Sequence, residues 1–191
     1  GGDTGLEQVS IGTGSATNPV LSATTTLGVD ASLAPNGLTI LGNAGINAIT
    51  GSAFADVINA GLGLDVLDGK DGADVYIITS SADRAAAEIK DTGGSGVDEL
   101  RFSSITASQT LSIYGGDTGL EQVSIGTGSA TNPVLSATTT LGVDASLAPN
   151  GLTILGNAGI NAITGSAFAD VINAGLGLDV LDGKDGADVY I

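Results

Sequence analysis

The chain has 191 residues, 21 acidic against five basic, for a formal net charge of −16. That balance excludes nucleic acid as a partner, because phosphate binding needs a basic footprint. The absence of Cys and His excludes disulfides, thiolate and zinc sites, haem ligation and most catalytic triads. Hydrophobic residues reach 42% but aromatics only 3%, so the chain can bury apolar surface only in a narrow core of small and β-branched side chains. That hydrophobicity argues against disorder. No apolar run approaches the roughly 20 residues a membrane-spanning helix needs, so no transmembrane segment is expected.

Residues 1–77 return without a mismatch as residues 115–191, a period of 114 residues. Residues 78–114 occur once, between the two copies. The chain opens on Gly1-Gly2-Asp3 without Met and is read as an interior window on a longer array. Long exact repeats point to an elongated architecture in which each unit contacts only its neighbours.

In chain order, residues 6–11 and 27–31 alternate apolar and polar side chains, as strands with one buried face do. Residues 12–26, rich in Ser, Thr, Gly and Ala and carrying Asn18-Pro19, read as a surface loop or insertion. Residues 37–41 lead into a second, shorter period of nine residues over 42–77, repeated over 156–191. Its sixth position holds Asn47, Asp56, Asp65 and Asp74, then Asn161, Asp170, Asp179 and Asp188. Its eighth holds Ile49, Ile58, Leu67 and Tyr76, then Ile163, Ile172, Leu181 and Tyr190.

A nine-residue period is two and a half α-helical turns, which would scatter the acids over opposite helix faces. Nine is odd, so one continuous strand would alternate them between its faces. The register holds only if six Gly-rich residues turn and three form a strand with one apolar side chain inward. Stacking such units gives an all-β parallel solenoid with strands ~4.8 Å apart. Further on, Ser80 to Asp83 matches a capping box and residues 84–88 are strong helix formers, so a short helix is expected there. Asp83, Arg84 and Glu88 read as its solvated face. Residues 111–113 resume the strand pattern. The chain thus divides into a partial repeat (1–77), a short helix plus β segment (78–114) and the second copy (115–191).

The nonapeptides resemble the RTX, or haemolysin-type, calcium-binding repeat, G-G-x-G-x-D-x-U-x with U a large apolar residue. Residues 93–101, with Asp98 in sixth place, satisfy every fixed position; residues 60–68 miss only the first Gly, and residues 69–77 only the second, replaced by Lys70. The resemblance implies a β-roll in which two nonapeptides complete a coil and calcium sits between loops two motifs apart. Asp56 would then work with Asp74 and Asn47 with Asp65, with turn carbonyls offered by Gly61, Gly63, Gly69 and Gly72. In the second copy the corresponding residues are Asp170 with Asp188, Asn161 with Asp179, and Gly175, Gly177, Gly183 and Gly186. Independently of the name, Gly-rich turns that expose carbonyls beside one carboxylate each suit Ca²⁺, which takes six to eight oxygens. The alternative is an Asn/Asp ladder that caps tight turns through side-chain to backbone hydrogen bonds. With Lys70 and Asn47 departing from the pattern, about two or three occupied sites per repeat are expected. Asp68, Asp71, Asp182 and Asp185 read as neighbours of the ligands or as solvated groups.

The expected function is a calcium-stabilised structural repeat of a secreted bacterial surface layer, filament or adhesin stalk, with copies of itself as partner. A glycan- or ice-binding adhesin module is the second reading, although Thr39 and Thr50 do not recur at a ninth position. A secretion-linked tail of a hydrolase is the third. No nucleophile–base constellation is present, so no catalysis is expected.

Overall fold

The computed structural model describes residues 5–15, 18–21, 24–129 and 132–191. The first copy contributes β1 (Gln8–Ser10), β2 (Thr13–Ser15), β3 (Asn18–Val20), β4 (Leu27–Asp30), β5 (Thr39–Asn43), β6 (Asn47–Thr50), β7 (Val57–Gly61), β8 (Val66–Asp68) and β9 (Val75–Ile78). The single-copy segment adds β10 (Glu99–Phe102) and β11 (Gln109–Ser112). The second copy follows with β12 (Gln122–Ile125), β13 (Thr127–Ser129), β14 (Asn132–Val134), β15 (Leu141–Asp144), β16 (Thr153–Leu155), β17 (Asn161–Thr164), β18 (Val171–Asn173), β19 (Val180–Asp182) and β20 (Val189–Tyr190).

These strands form a parallel β-solenoid of about eight turns. One face is a single nine-stranded sheet in the order β1-β5-β7-β9-β10-β12-β16-β18-β20. The other is a three-stranded run, β4-β6-β8, and a four-stranded run, β11-β15-β17-β19. The isolated parallel bridges Leu67–Ile89 and Lys90–Thr118 lie beyond β8. In the nonapeptide blocks Thr39 pairs with Val57 and Val57 with Val75, an offset of 18 residues, so two nonapeptides make one coil. The 12–26 insertion contributes the antiparallel pair β2–β3, and its copy β13–β14.

The inward position is the eighth of each nonapeptide. Val9, Ile40, Ile58, Tyr76, Leu100, Val123, Ile154, Ile172 and Tyr190 are successive partners across the large sheet. From Ile40 to Ile172 every member is fully buried. Val29, Ile49 and Leu67 stack opposite in the first copy, and Leu111, Val143, Ile163 and Leu181 in the second. The strands β9, β10, β12 and β15 bury a second apolar side chain as well, Ile78, Phe102, Ile125 and Leu141.

Stacking brings backbones close enough that some turn positions admit no Cβ. A Cβ at Gly93 would lie 1.7 Å from the Lys70 carbonyl oxygen of the preceding coil. Gly93→Ala is therefore expected to destabilise the protein by about 1–3 kcal/mol through overpacking, read as a lowered thermal midpoint; an unchanged midpoint would mean the coils can separate locally. Lys70 and Lys184 replace the motif Gly yet hold its left-handed turn, with φ of 75° and 67°, a conformation that costs a side chain more than it costs Gly. Their ammonium groups turn back to Asp68 (2.9 Å) and Asp182 (3.0 Å).

The helix expected over 80–88 does not form, and no helix occurs among the described residues. Five good helix formers cannot meet the cost of nucleation alone, and three tertiary demands oppose it. Ala87 takes a left-handed φ of 61°. Asp83 uses Oδ1 to accept the Gly63 amide at 2.5 Å instead of capping a first turn. Arg84 is drawn to Glu88 and to Asp117 of the second copy. Asp83, Arg84 and Glu88, expected in solvent, are all buried.

Candidate metal centre

The sixth-position residues stand at the two edges of the solenoid, each just before or at the start of a strand. On one edge Asp56 Oδ1 accepts the Leu38 amide (2.6 Å), Asp74 Oδ1 the Asp56 amide (2.7 Å), and Asp98 Oδ1 the Asp74 amide (2.8 Å). Glu121 Oε2 ends the run by accepting the Asp98 amide at 2.8 Å. On the other edge Asp65 Oδ1 accepts the Asn47 amide at 2.7 Å, and Asp83 takes the next place. The second copy repeats this, Asp188 accepting from the Asp170 amide (3.0 Å) and Asp179 from the Asn161 amide (2.8 Å). The residues paired by the resemblance are thus neighbours one coil apart.

Their second polar atoms divide them. Asp56 Oδ2 accepts from the Ser52 amide (2.6 Å) and hydroxyl (3.1 Å), and Asp170 Oδ2 from those of Ser166 (2.7 and 3.1 Å). The Asn47 side-chain amide donates to Leu27 O and Asn43 Oδ1, as Asn161 does to Leu141 O and Asn157 Oδ1. These four residues meet their needs inside the protein, as turn caps do. Asp65, Asp74 and Asp83 differ: each buries an Oδ2 with no hydrogen-bond partner. A buried carboxylate oxygen without a donor costs about 1–3 kcal/mol or more, so it calls for a proton or a cation.

Burial pushes Asp74 up to about 8, with the charges of Asp56, Asp91 and Asp98 adding to the effect. Burial likewise pushes Asp98 to about 7, helped by Asp91 and Glu121, and Asp65 to about 6, helped by Asp83. Asp83 and Asp91 are also raised, again chiefly by burial. Carboxylates crowded in this way favour a bound ion that replaces the missing positive charge.

The turns are shaped to match. Gly61, Gly63 and Gly72 have φ of 93°, 129° and 141°, and Gly175, Gly177 and Gly186 of 84°, 142° and 130°. A Cβ at Gly69 would lie 2.2 Å from Asp74 Oδ2, and one at Gly183 2.2 Å from Asp188 Oδ2, so these two glycines leave the carboxylate edge open. A Cβ at Gly63 would meet the Gly45 carbonyl at 2.5 Å and Asp65 Oδ1 at 3.2 Å. Carboxylates and carbonyls set in Gly-rich turns are an all-oxygen donor set, which fits Ca²⁺ and not a softer metal. Bound there, the ion would supply positive charge shared between successive coils.

Sequence reasoning missed Asp91. It is buried, its Oδ2 accepts the Tyr76 hydroxyl at 2.6 Å, and it lies with Asp74 and Asp98 in a group whose ligand oxygens are all within 4.8 Å of one another. The nine-residue pattern gave no signal for it, because Asp91 lies outside the nonapeptides and Ile89, two residues earlier, pairs with Leu67 at the inward place. Asp68 and Asp71 behave as accessory groups. Asp68 binds Lys70 and Thr92, and exposed Asp71 accepts the Gly94 amide at 3.2 Å.

No curated protein and no solved structure matches the chain. A family model does, that of the RTX calcium-binding nonapeptide repeat (4 copies), over residues 41–76 and again over residues 155–190. Offset, turn chemistry and donor set agree with that match, and the chain carries RTX calcium-binding nonapeptide repeats in both of its copies.

Proposed function

We propose that the chain is a calcium-stabilised structural repeat of a secreted bacterial protein, working as a length-building unit of a surface layer, filament or adhesin stalk. The observation that carries this is the unbroken nine-stranded sheet. In it β10 pairs with β9 of the first copy at Glu99–Val75 and with β12 of the second at Glu99–Gln122. A repeat that docks end to end on its own copy adds length rather than a unique pocket, and its natural partner is another copy of itself.

In this reading Asp65, Asp74 and Asp98 hold ions through the oxygens their ladder bonds leave over. Asp179 and Asp188 do so in the second copy, with carbonyls of the facing Gly turns completing the shell. Asn47, Asp56, Asn161 and Asp170 brace those turns from beside the ions. The net charge of −16 opposes folding until cations neutralise it. An ion present at 100 times its dissociation constant adds about 2.7 kcal/mol per site to the folded state. Folding would therefore wait for a calcium-rich exterior. Nothing in the donor set is built for bond-making, so the chain works as scaffold and not as an enzyme.

Five strand-to-strand steps of the large sheet separate β1 from its copy β12. At ~4.8 Å per strand each 114-residue repeat should lengthen the molecule by about 24 Å. Small-angle scattering on proteins differing by one repeat checks this in calcium. A longest dimension that does not grow would sink the length-building reading, because repeats would then pack side by side.

A further inference from the structure

Asn followed by Gly occurs twice in the chain, as Asn36-Gly37 and as its copy Asn150-Gly151. Tertiary contacts hold both members of each pair. The Asn36 side-chain amide donates to Leu6 O at 2.8 Å and to Gly37 O at 2.9 Å, and that of Asn150 to Leu120 O and Gly151 O at the same distances. Close by, the Thr39 amide donates to Glu7 O (2.8 Å) and the Thr153 amide to Glu121 O (2.9 Å). The carboxamide thus adds one rung to the start of the β1–β5 ladder, and its copy one to β12–β16, in place of a backbone donor. Crowding fixes the glycine: a Cβ at Gly37 would lie 2.0 Å from Ala55 O, and one at Gly151 2.0 Å from Ala169 O. The next amide is fixed as well, Leu38 donating to Asp56 Oδ1 at 2.6 Å and Leu152 to Asp170 Oδ1 at 2.7 Å. The coil needs both letters, yet side by side they are prone to cyclise, because a glycine has no Cβ to shield its amide nitrogen.

We propose that Asn36 and Asn150 are sites of spontaneous deamidation, which the stacked coil holds shut and an unstacked coil opens. In the open chain the Gly37 nitrogen attacks Asn36 Cγ. A C–N bond forms, the carboxamide C–N bond breaks, and ammonia leaves with the proton that Gly37 gives up. Water then opens the succinimide at either carbonyl, leaving Asp or isoAsp, so water is the one co-reactant. In the folded coil the attacked group is tied to Leu6 O and the attacking backbone is wedged against Ala55. The product does not fit the old place. Its carboxylate would face the Leu6 and Gly37 carbonyl oxygens that the carboxamide served as donor, and isoAsp would lengthen the backbone where a Cβ has no room. The reaction is therefore one-way: a chain left unfolded loses a ladder rung in each copy and adds to a net charge of −16. That calcium sets how long the chain stays open rests on the calcium reading of the roll; the sites themselves do not.

Peptide mapping by mass spectrometry, with isoAsp separated from Asp, follows the reaction in the whole chain at neutral pH. Three conditions are compared: calcium, chelator, and chelator with urea. Both sites should deamidate in urea, and at least about tenfold more slowly in calcium, because a reaction of held backbone must await its local opening. Chelator alone should resemble urea. Asn36→Gln with Asn150→Gln should remove the urea signal, since the longer side chain closes a larger and slower ring. Chains aged in urea and returned to calcium should refold with a lowered thermal midpoint. Equal rates in calcium and in urea overturn the proposal, as does a signal that survives the Gln substitutions or an aged chain with the parent's midpoint. Slow reaction in calcium and in chelator alike, with fast reaction in urea, leaves the fold-gated sites standing and overturns the calcium dependence of folding.

Discussion

Arg84→Met is expected to cost about 3–5 kcal/mol, the range for removing one partner of a buried ion pair. Its guanidinium contacts Glu88 at 2.8 Å and Asp117 at 2.5 Å, and all three side chains are at most 1% exposed. Without Arg84 two carboxyl groups would remain in the interior. Burial already pushes Glu88 up to about 7, with Arg84 opposing that rise. Asp117 also accepts the Tyr114 amide at 2.9 Å and the Ile89 amide at 3.3 Å. Pairing Arg84→Met with Glu88→Gln should recover part of the loss. Urea denaturation of the single and double variants measures both effects; a single variant within 0.5 kcal/mol of the parent would show that water reaches the cluster. Since Arg84 belongs to the single-copy segment and Asp117 to the second copy, the damage should fall on the junction between repeats.

The second large effect concerns pH in the metal-free protein. Asp65, Asp74 and Asp98 have folded values of about 6, 8 and 7, all above the unfolded value of roughly 3.9. An acid raised in this way binds its proton more tightly in the folded state. Its contribution is therefore complete below about pH 4 and is lost as pH rises toward the folded value. Metal-free protein should lose stability, on the order of several kcal/mol in total, between about pH 4 and pH 8. Saturating calcium should reverse the trend, because the ion needs the deprotonated carboxylates and its affinity rises with pH. Denaturation midpoints at pH 5 and pH 8, with and without calcium, check both directions. Metal-free stability that increases with pH would refute the account of these acids.

Much of this molecule was legible in its letters. Because nine residues suit neither one helix face nor one strand face, the period forced a turn followed by a short strand. The structure places Ile49, Ile58, Leu67 and Tyr76 inward as that argument requires. The 18-residue coil was implied by the resemblance and is what the strands adopt; it sets Asp56 beside Asp74 and Asn47 beside Asp65, joined by backbone-to-carboxylate bonds. Local, repeated chemistry of this sort can be read from sequence because every unit solves the same problem in the same way.

The single-copy segment obeys no period, and there the reading went astray. Ser80 to Glu88 has the composition of a helix, but its side chains answer to partners far away in sequence, Gly63 for Asp83 and Asp117 for Arg84. The nine-residue pattern settled the solenoid, its inward ladder and the oxygen-rich turns. Which carboxylates lose their water depended on what stacks on each coil, because desolvation is a property of neighbours and not of a motif.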